Sequence, residues 1–255
     1  MIGLRGNYEG IGADFVVEQD LAAYSRDEHA LFDRLLTRQA DLLKKYACRT
    51  YREALARLDL HGGVPDFVKT SVALSRATGW NIVGVPGLIP DDVFFNHLAQ
   101  RRFPVTVWLR TPAEMDYIVE PDVFHDFLGH VPLLFDPTYA DHMQEYGKGG
   151  LKALRLNGLK FLARLYWFTI EFGLIRENGA IKAYGAGLLS SAGEMPYAIA
   201  DAKPERVLFD AMTTMATPYE IDRYQNTYFV IDGFEHLMAE TAPDFTEHYA
   251  ALNAR

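Results

Sequence analysis

Glu171 is the residue that most constrains how this chain can fold, because it lies inside the apolar run 165–172. A carboxylate among aromatic and aliphatic neighbours is costly to bury unless it is paired or bound to a metal. His125 and His130, five residues apart, offer neutral nitrogen ligands of the kind that divalent first-row metals accept. Two imidazoles and one carboxylate leave coordination positions free for oxygen or substrate. The three side chains therefore predict a catalytic metal site.

The spacing of the two histidines is weak evidence by itself. Residues five apart lie about 140° apart around a regular α-helix. We therefore expect the helix to end at Gly129 and Pro132, which would let His130 turn toward the metal. Asp122 is a candidate hydrogen-bond acceptor for a ligand imidazole. The alternative is that both histidines are partly buried and satisfied by hydrogen bonds, with the acid on a helix surface beside a basic residue.

The composition limits the classes of function. The 255 residues, 49% of them hydrophobic, suffice for one large domain with a substantial core. A formal net charge of −9 argues against broad binding to nucleic acid or anionic lipid, because both would repel the chain. We expect a small-molecule partner.

The N-terminus lacks the apolar core of a signal peptide, and residues 151–175 carry too many charges to cross a bilayer. Cys48 is the only cysteine, which excludes an intrachain disulfide and a Cys-rich zinc site and suits a reducing cytosol. We expect a soluble cytoplasmic protein.

Hydrophobic spacing predicts a mainly α fold with a small β-sheet. The glycine-rich residues 1–20 are predicted to form a surface arm. Residues 104–110 alternate like a strand, and 181–184 could be its partner. Gly84 to Pro90 cannot be regular helix, and Asp91 or Asp92 is expected to cap the next helix. The predicted helices are 28–58 (interrupted), 66–78, 92–101, 115–130, 138–146, 151–175, 192–200, 205–214 and 232–252.

The remaining sequence gives no sign of a second unit or a second histidine site. No repeat, low-complexity tract or linker is present, so residues 1–255 are predicted to form a single domain. The other histidines are scattered among polar neighbours and are predicted to lie at the surface. They are His29, His61, His97, His142, His236 and His248.

Three motifs in order surround the candidate ligands and carry a family resemblance. They are PDVFHDFLGHVPL at 121–133, YWFTIEFGL at 166–174 and AYGAGLLSS at 183–191. With these motifs the chain resembles the pterin-dependent aromatic amino acid hydroxylases, from about Trp80 to Phe234. The runs VPGLIPDDVFF at 85–95 and RRFPV at 101–105 are similar to the single-domain bacterial phenylalanine 4-hydroxylases in particular.

The resemblance implies an aromatic amino acid hydroxylase catalytic domain that holds a non-haem Fe(II). His125, His130 and Glu171 match the family's metal ligands and catalytic centre, an arrangement with open positions. The implied co-substrates are O2 and a tetrahydropterin, either tetrahydrobiopterin or a related compound. The implied reaction is that of a phenylalanine 4-monooxygenase, which converts L-phenylalanine to L-tyrosine in phenylalanine catabolism.

The resemblance also implies a substrate site. Arg110 matches the arginine that clamps the amino acid carboxylate, a role suited to its planar fork. Ile221 falls where tyrosine hydroxylases have an aspartate, so an apolar wall is expected to favour phenylalanine over tyrosine. Ile118 departs from the threonine of animal phenylalanine enzymes. The full set of implied substrate contacts is Arg110, Tyr117, Pro121, Trp167, Gly187, Ser190 and Ile221.

For the pterin, Phe94 matches the ring that stacks on the bicyclic cofactor. The backbone of Gly87, Leu88 and Ile89 matches the loop that pairs with its polar edge. Asp126 stands where animal members carry a glutamate, and a bridging water could replace the missing methylene.

We also expect the protein to have neither the regulatory domain nor the tetramerisation helix of animal members. About twenty residues follow Phe234, too few for a helix that completes the domain and a long coiled coil. We therefore expect a monomer.

Two other functions remain possible from the residues alone. One is a zinc hydrolase with the same three ligands and with Glu194 or Asp126 as general base, although the chain has no His-Glu-x-x-His motif. The other is a non-catalytic binding protein whose histidines are structural.

Overall fold

Helices form most of the fold in the computed structural model, which describes residues 5–58, 60, 62–221, 223–241 and 245–254. The predicted mainly α fold with little β structure is confirmed. The α-helices are α1 (Arg26–Tyr46), α2 (Arg49–Leu55), α3 (Phe67–Thr78), α4 (Asp91–Ala99), α5 (Pro137–Arg155), α6 (Leu159–Tyr166), α7 (Ala186–Ser190), α8 (Glu194–Ala200), α9 (Ala211–Ala216), α10 (Phe234–Thr241) and α11 (Thr246–Asn253). The strands are β1 (Asn81–Val85), β2 (Arg102–Thr106), β3 (Leu174–Glu177), β4 (Ala180–Ala183), β5 (Glu205–Leu208) and β6 (Thr227–Ile231).

The first three helices follow the predicted pattern because local caps define their ends. Ser25 and Glu28 form a reciprocal capping box at the start of α1, which satisfies free backbone donors. The predicted interruption lies at Ala47 and Cys48, between α1 and α2. Asp66 caps α3 by accepting a hydrogen bond from the backbone of Lys69.

The predicted pairing of 104–110 with 181–184 is wrong. Strand β2 pairs in parallel with β1, with Ile82 opposite Phe103, and α4 makes the connection between them. Parallel strands need such a crossover, usually a helix, so the helix predicted after the Gly-Pro loop was itself the signal for this pairing. The prediction that Asp91 or Asp92 caps this helix is wrong, because Pro90 holds the cap position and both acids lie in the first turn. Strand β4 instead forms a hairpin with β3.

The second sheet has the strand order β4-β3-β6-β5. Its edge strand β5 pairs in parallel with β6, with Val207 opposite Phe229. The helix predicted at 205–214 is therefore wrong in its first half, and only α9 is helical. The pairing of β5 with a strand twenty residues further on overrides the local helical pattern.

The helix predicted at 115–130 is also wrong over most of its length. A 3₁₀ turn covers Pro112–Glu114, an irregular loop follows, and His125–His130 form a π-helical turn that leads into a 3₁₀ turn at Pro132–Phe135. The predicted helix 151–175 is divided among the end of α5, α6, a second π-helical turn at Trp167–Glu171, and the start of β3.

The first π turn runs through the centre of the core. Phe127 is fully buried and stacks on Phe67 of α3, with ring centroids 6.1 Å apart. Phe124, just before the turn, packs edge-on against Phe32 of α1 at 5.4 Å. Because these rings belong to the close-packed interior, the turn between them has little freedom to move.

Two histidines that were predicted to lie at the surface are buried. His97 is 1% exposed and His142 is 3% exposed. Each has a partner from a distant part of the chain: Nε2 of His97 lies 2.8 Å from the carbonyl oxygen of Asp14, and Nδ1 of His142 lies 3.0 Å from Thr241 Oγ1. Local polarity could not reveal such partners. His29, His236 and His248 are partly buried, and His61 lies outside the described residues.

Among the helices of the described residues, none combines the length and the apolar character needed to cross a bilayer.

Candidate metal centre and active site

The π-helical turn at His125–His130 places the two histidines on one face. In a π-helix the backbone bonds join residues i and i+5, so side chains five apart are neighbours. The 140° separation expected for a regular α-helix therefore does not apply. The predicted end of the helix at Gly129 is wrong, because the chain stays helical past His130 into the following 3₁₀ turn.

Glu171 ends the second π-helical turn, which continues α6. The backbone N–H of Phe172 donates to the carbonyl oxygen of Trp167, the i to i+5 bond that defines this turn. Glu171 is 13% exposed, so its carboxylate faces inward as the apolar run required. Both segments that carry candidate ligands thus have the same uncommon backbone geometry.

Helix α7 packs closely against both ligand-bearing turns because a glycine lies at each contact. A Cβ atom on Gly129 would lie 2.7 Å from the Cβ of Ala186, and one on Gly187 would lie 3.1 Å from the carbonyl oxygen of Glu171. Both distances are too short for a larger residue. Gly129 therefore permits close approach of α7, and Gly187 brings α7 against the Glu171 turn.

The three candidate ligands converge at one point. Nε2 of His130 lies 3.1 Å from Oε1 of Glu171, and Nε2 of His125 lies 3.5 Å from Oε2. All three ligand atoms lie within 4.8 Å of one another. Ligands at right angles around a metal with bonds of roughly 2.1 Å would be about 3.0 Å apart. One divalent ion therefore fits this donor set, and two imidazoles with one carboxylate are typical of non-haem Fe(II).

The carboxylate of Glu171 is held in its charged form. Burial alone would raise its pKa, but the nearby imidazoles of His130 and His125 and the hydroxyl of Tyr166 lower it to about 2. Since a metal binds the deprotonated carboxylate, the environment already favours the form that a metal requires.

Ser190 determines which nitrogen of His125 faces the metal point. The Ser190 hydroxyl donates its single proton to the carbonyl oxygen of Ala186 at 2.9 Å. It must therefore accept from Nδ1–H of His125, which lies 2.9 Å away. Nε2 of His125 is left with its lone pair free for a metal. Ser190 thus takes the place predicted for Asp122 as acceptor for a ligand imidazole.

Asp122 has a different partner, so that prediction is wrong. Its carboxylate accepts from Nε and Nη2 of Arg110, both at 2.8 Å, and from the backbone N–H groups of Arg110 and His125. The Arg110 side chain is 4% exposed and that of Asp122 is fully buried. This bidentate pair fixes the guanidinium beside the first π turn, since Asp122 also accepts from the backbone of His125. No residue in the described part of the chain bonds to Nη1 of Arg110, so this nitrogen can meet an anionic group.

Trp167 forms an aromatic wall beside Glu171. Its ring stacks on Tyr219 at 4.4 Å and tilts against Phe172 at 4.7 Å. Pro121 lies partly buried immediately before Asp122. This side of the site is therefore lined by flat apolar surfaces.

Two predicted substrate residues are exposed and contact each other. Tyr117 is 56% exposed and Ile221 is 69% exposed, and the Tyr117 hydroxyl donates to the carbonyl oxygen of Ile221 at 3.4 Å. The loops that carry these two residues therefore meet. Ile221 does not form a closed apolar wall in this structure, and its effect on substrate choice stays a prediction.

The predicted pterin residues lie in α4 and in the loop that precedes it. Phe94 of α4 meets the ring of Tyr166 edge-on at 5.9 Å. In the loop before α4, Gly87 is buried and Leu88 is exposed. Within the described part of the chain, no partner occupies the backbone N–H groups of Gly87 and Ile89. An aromatic face beside free backbone donors fits the flat, polar-edged shape of a pterin.

Asp126 has a backbone partner at the end of β2. One of its oxygens accepts a hydrogen bond from the backbone N–H of Thr106 at 2.8 Å. Burial raises the pKa of Asp126, and the imidazoles of His125 and His130 oppose that rise. Asp126 therefore fastens the first π turn to the end of β2, in addition to any contact with a ligand.

Sequence reasoning missed the structural roles of three residues of the site. Asp122 was assigned the wrong partner, Tyr166 was quoted only within a motif, and Tyr219 was not identified. The first two had a signal, since a buried acid requires a cation or several donors, and a tyrosine five residues before a buried acid can reach it. Tyr219 had no such signal, because β3, β4 and β5 lie between it and Trp167 in the sequence.

The chain matches a known protein family over most of its length. The family model described as biopterin-dependent aromatic amino acid hydroxylase matches residues 8–250. This chain belongs to that family. The predicted resemblance is therefore confirmed, and a pterin-using hydroxylase is favoured over a zinc hydrolase or a non-catalytic binding protein.

Several curated relatives of this chain are bacterial phenylalanine-4-hydroxylases. The chain is 55% identical over 240 residues to the phenylalanine-4-hydroxylase of Chromobacterium violaceum, which covers 94% of this chain and 81% of the relative. It is 52% identical over 251 residues to the phenylalanine-4-hydroxylase of Ralstonia nicotianae, covering 98% and 80% respectively.

The fold of this family member is matched by solved structures as well. The iron- and phenylalanine-bound phenylalanine hydroxylase from C. violaceum aligns with a TM-score of 0.90 at 53% identity, over 94% of this chain and 88% of that chain. The cobalt-bound form of the same enzyme gives a TM-score of 0.94 at 53% identity, over 96% and 89%. The aromatic amino acid hydroxylase catalytic-domain fold is therefore confirmed.

Proposed function

We propose that this protein is a phenylalanine 4-monooxygenase, which converts L-phenylalanine to L-tyrosine with O2 and a tetrahydropterin at a non-haem Fe(II). The observation that carries the proposal is that two π-helical turns bring the ligand atoms of His125, His130 and Glu171 together at one point. Relatives more than 50% identical that bear the name phenylalanine-4-hydroxylase support this substrate.

His125, His130 and Glu171 are proposed to hold the iron. Bound iron and tetrahydropterin would together supply the activation of O2 that the side chains cannot perform themselves. Ser190 would keep His125 in the tautomer that binds through Nε2. The Tyr166 hydroxyl would hold Glu171 in its charged form.

The amino acid is proposed to bind between Arg110 and Trp167. The free Nη1 edge of Arg110 would take the carboxylate, since Asp122 already occupies the other edge. Trp167 would line the ring, with Pro121 nearby and with Ser190 and Gly187 toward the metal. Tyr117 and Ile221 would close the mouth once the substrate is bound. This arrangement would orient one ring carbon toward the metal.

The pterin is proposed to stack on Phe94, with its polar edge against the backbone of Gly87, Leu88 and Ile89. Asp126 would contact it through water, because one carboxylate oxygen is already held by Thr106. These residues would bind and orient the cofactor beside the metal ligands, so that the O2 chemistry it supplies would stay close to the substrate ring.

Product analysis tests the proposal directly. The protein is stripped with a chelator, reloaded anaerobically with Fe(II), and supplied with tetrahydrobiopterin, O2 and L-phenylalanine. We expect tyrosine as the product, identified against the 3-hydroxy isomer by chromatography. Zinc bound in place of iron, with no oxygen consumption after reloading, would contradict the proposal.

A histidine pair provides the matched control. His125→Ala is expected to lose iron and tyrosine formation together. His236→Ala removes a partly buried histidine whose Nδ1 accepts only from the backbone of Asp232, and is expected to keep both. Retention of stoichiometric iron by His125→Ala would remove that residue from the metal site.

We further propose that the protein acts as a cytoplasmic monomer with one catalytic domain. The compact match of the family model to residues 8–250 supports a single catalytic unit. Light scattering coupled to gel filtration tests the monomer, and a mass of twice 28.8 kDa or more would contradict it.

A further inference from the structure

Residues 5–8 form a strap that crosses two loops of the candidate active site. The first is the pterin loop, residues 86–90, which leads into α4. The second is the amino-acid loop, residues 111–121, which joins Arg110 to Asp122. The proposed function assigns ligand contacts to both loops but gives no role to the strap.

The strap rests directly on the pterin loop. The hydroxyl of Tyr8 donates to the carbonyl oxygen of Leu88 at 2.9 Å. A Cβ atom on Gly6 would lie 1.8 Å from the carbonyl oxygen of Pro86, so the two backbones are in close contact. A Cβ atom on Gly87 would lie 2.9 Å from the Tyr8 hydroxyl. The strap therefore limits how far this loop can move.

Arg5 fastens the same strap to the amino-acid loop. Its Nη1 donates to both carboxylate oxygens of Glu114 at 2.8 Å, and its backbone N–H donates to Oε2 of Glu120 at 3.1 Å. The other oxygen of Glu120 accepts from the backbone of Leu88 at 3.4 Å. One carboxylate thus joins the strap, the amino-acid loop and the pterin loop.

A cation–π contact adds a third attachment. The guanidinium carbon of Arg5 lies 4.4 Å from the centroid of the Trp108 ring. The Trp108 indole N–H in turn donates to the carbonyl oxygen of Pro86 at 3.0 Å. Arg5 therefore acts on the start of the pterin loop as well as on the amino-acid loop. Its side chain is 35% exposed, and this partial shielding from water strengthens the cation–π contact.

From these contacts we infer that Arg5 and Tyr8 are positioning residues that hold the pterin loop against the amino-acid loop in its ligand-binding form. The inference rests on the proposed function, because it takes the 86–90 backbone to be the part that pairs with the pterin. Tyr8 uses only one lone pair of the Leu88 carbonyl oxygen, so the other stays available to a ligand. Neither residue needs to touch the reacting atoms.

The test compares Tyr8→Phe and Arg5→Ala with the parent protein. A neutral hydrogen bond that orders the loop corresponds to a change in affinity of about 2- to 10-fold. We expect the Kd for tetrahydrobiopterin, measured anaerobically by calorimetry, to rise by that factor in Tyr8→Phe. The KM for the pterin should rise in parallel, while kcat at saturating pterin and the KM for phenylalanine change little.

Hydrogen exchange gives a readout that does not depend on turnover. In the ligand-free protein, amides of the 86–90 loop should exchange faster in Tyr8→Phe and Arg5→Ala than in the parent. Arg5→Lys keeps the charge but not the planar guanidinium that lies over Trp108, so it should restore only part of the affinity that Arg5→Ala loses.

Asn7→Ala is the matched control within the strap. The Asn7 side chain accepts a hydrogen bond from the backbone of Glu9 and faces neither loop through that bond. The control should match the parent in pterin affinity and in exchange. Unchanged affinity and exchange in Tyr8→Phe, or an equal loss in Asn7→Ala, would overturn the inference. Failure of the proposed function is distinguishable, because the parent itself would then neither bind the pterin nor form tyrosine.

Discussion

Glu194 provides a prediction whose magnitude follows from the structure. This acid, at the start of α8, is 7% exposed and accepts from the Tyr228 hydroxyl at 2.7 Å and from the backbone N–H of Gln225 at 3.2 Å. Burial raises its pKa from 4.5 to about 7, and the two hydrogen bonds oppose the rise only in part. The folded protein therefore prefers the neutral acid at a pH where the unfolded chain is already ionised.

The sign of the effect follows from proton binding. Between about pH 4.5 and about pH 7 the folded state holds this proton more tightly than the unfolded state. The free energy of unfolding therefore falls as the pH rises through that window, and the loss is complete above it. The difference between the pKa of Glu194 in the folded and the unfolded state corresponds to about 3 kcal/mol of unfolding free energy.

Glu194→Gln mimics the neutral acid at every pH and keeps an oxygen for Tyr228 and Gln225. We expect the variant to gain about 3 kcal/mol in unfolding free energy over the parent at pH 8, and to equal the parent near pH 4.5. In a chain of this size the gain corresponds to a rise in Tm of roughly 6 to 12 °C.

Urea denaturation of both proteins from pH 4.5 to 8, in one defined metal state, measures the difference. Glu247→Gln, a change at an exposed acid on α11, is the control and should follow the parent. Parallel curves for Glu194→Gln and the parent across the whole range would refute the assignment of a buried, neutral acid.

Three further predictions concern the metal centre and its neighbours. Asp122→Asn should raise the KM for phenylalanine at least 10-fold, because it removes the charge that orients Arg110; an unchanged KM in steady-state assays would contradict this. Ser190→Ala should weaken iron binding about 10-fold by freeing the tautomer of His125, measured by competition with a chelator. Gly129→Ala should destabilise the fold by about 1–3 kcal/mol in chemical denaturation, because its methyl group has no room beside α7; wild-type stability would show that α7 can move away.

Sequence reasoning succeeded where the physical demand was local. A carboxylate in an apolar run had to be neutralised, and Glu171 does lie beside two imidazoles. The helix predicted at 66–78 likewise has the bounds that the structure gives to α3 and its cap residue. Such features depend only on residues a few positions apart, which the sequence displays directly.

It failed where distant contacts decide the outcome. Strand β5 looked helical by periodicity, but its pairing with β6 determines its conformation. His142 looked exposed, but α10 supplies Thr241 as its partner. The π turn at His125–His130 is a different case, because its backbone bonds run counter to the regular helix that local propensity favours.

The two π-helical turns make this site sensitive to a change in backbone hydrogen bonding. A π turn amounts to an α-helix that has taken in one additional residue. If residues 125–130 changed to ordinary α-helical bonding with the chain length unchanged, the two imidazoles would lie about 140° apart and His130 would leave the shared face. The ability to bind a metal here therefore depends on the bonding pattern between the ligands as much as on their identity. A turn that relaxed to the regular helix would be the better helix and would have lost the metal.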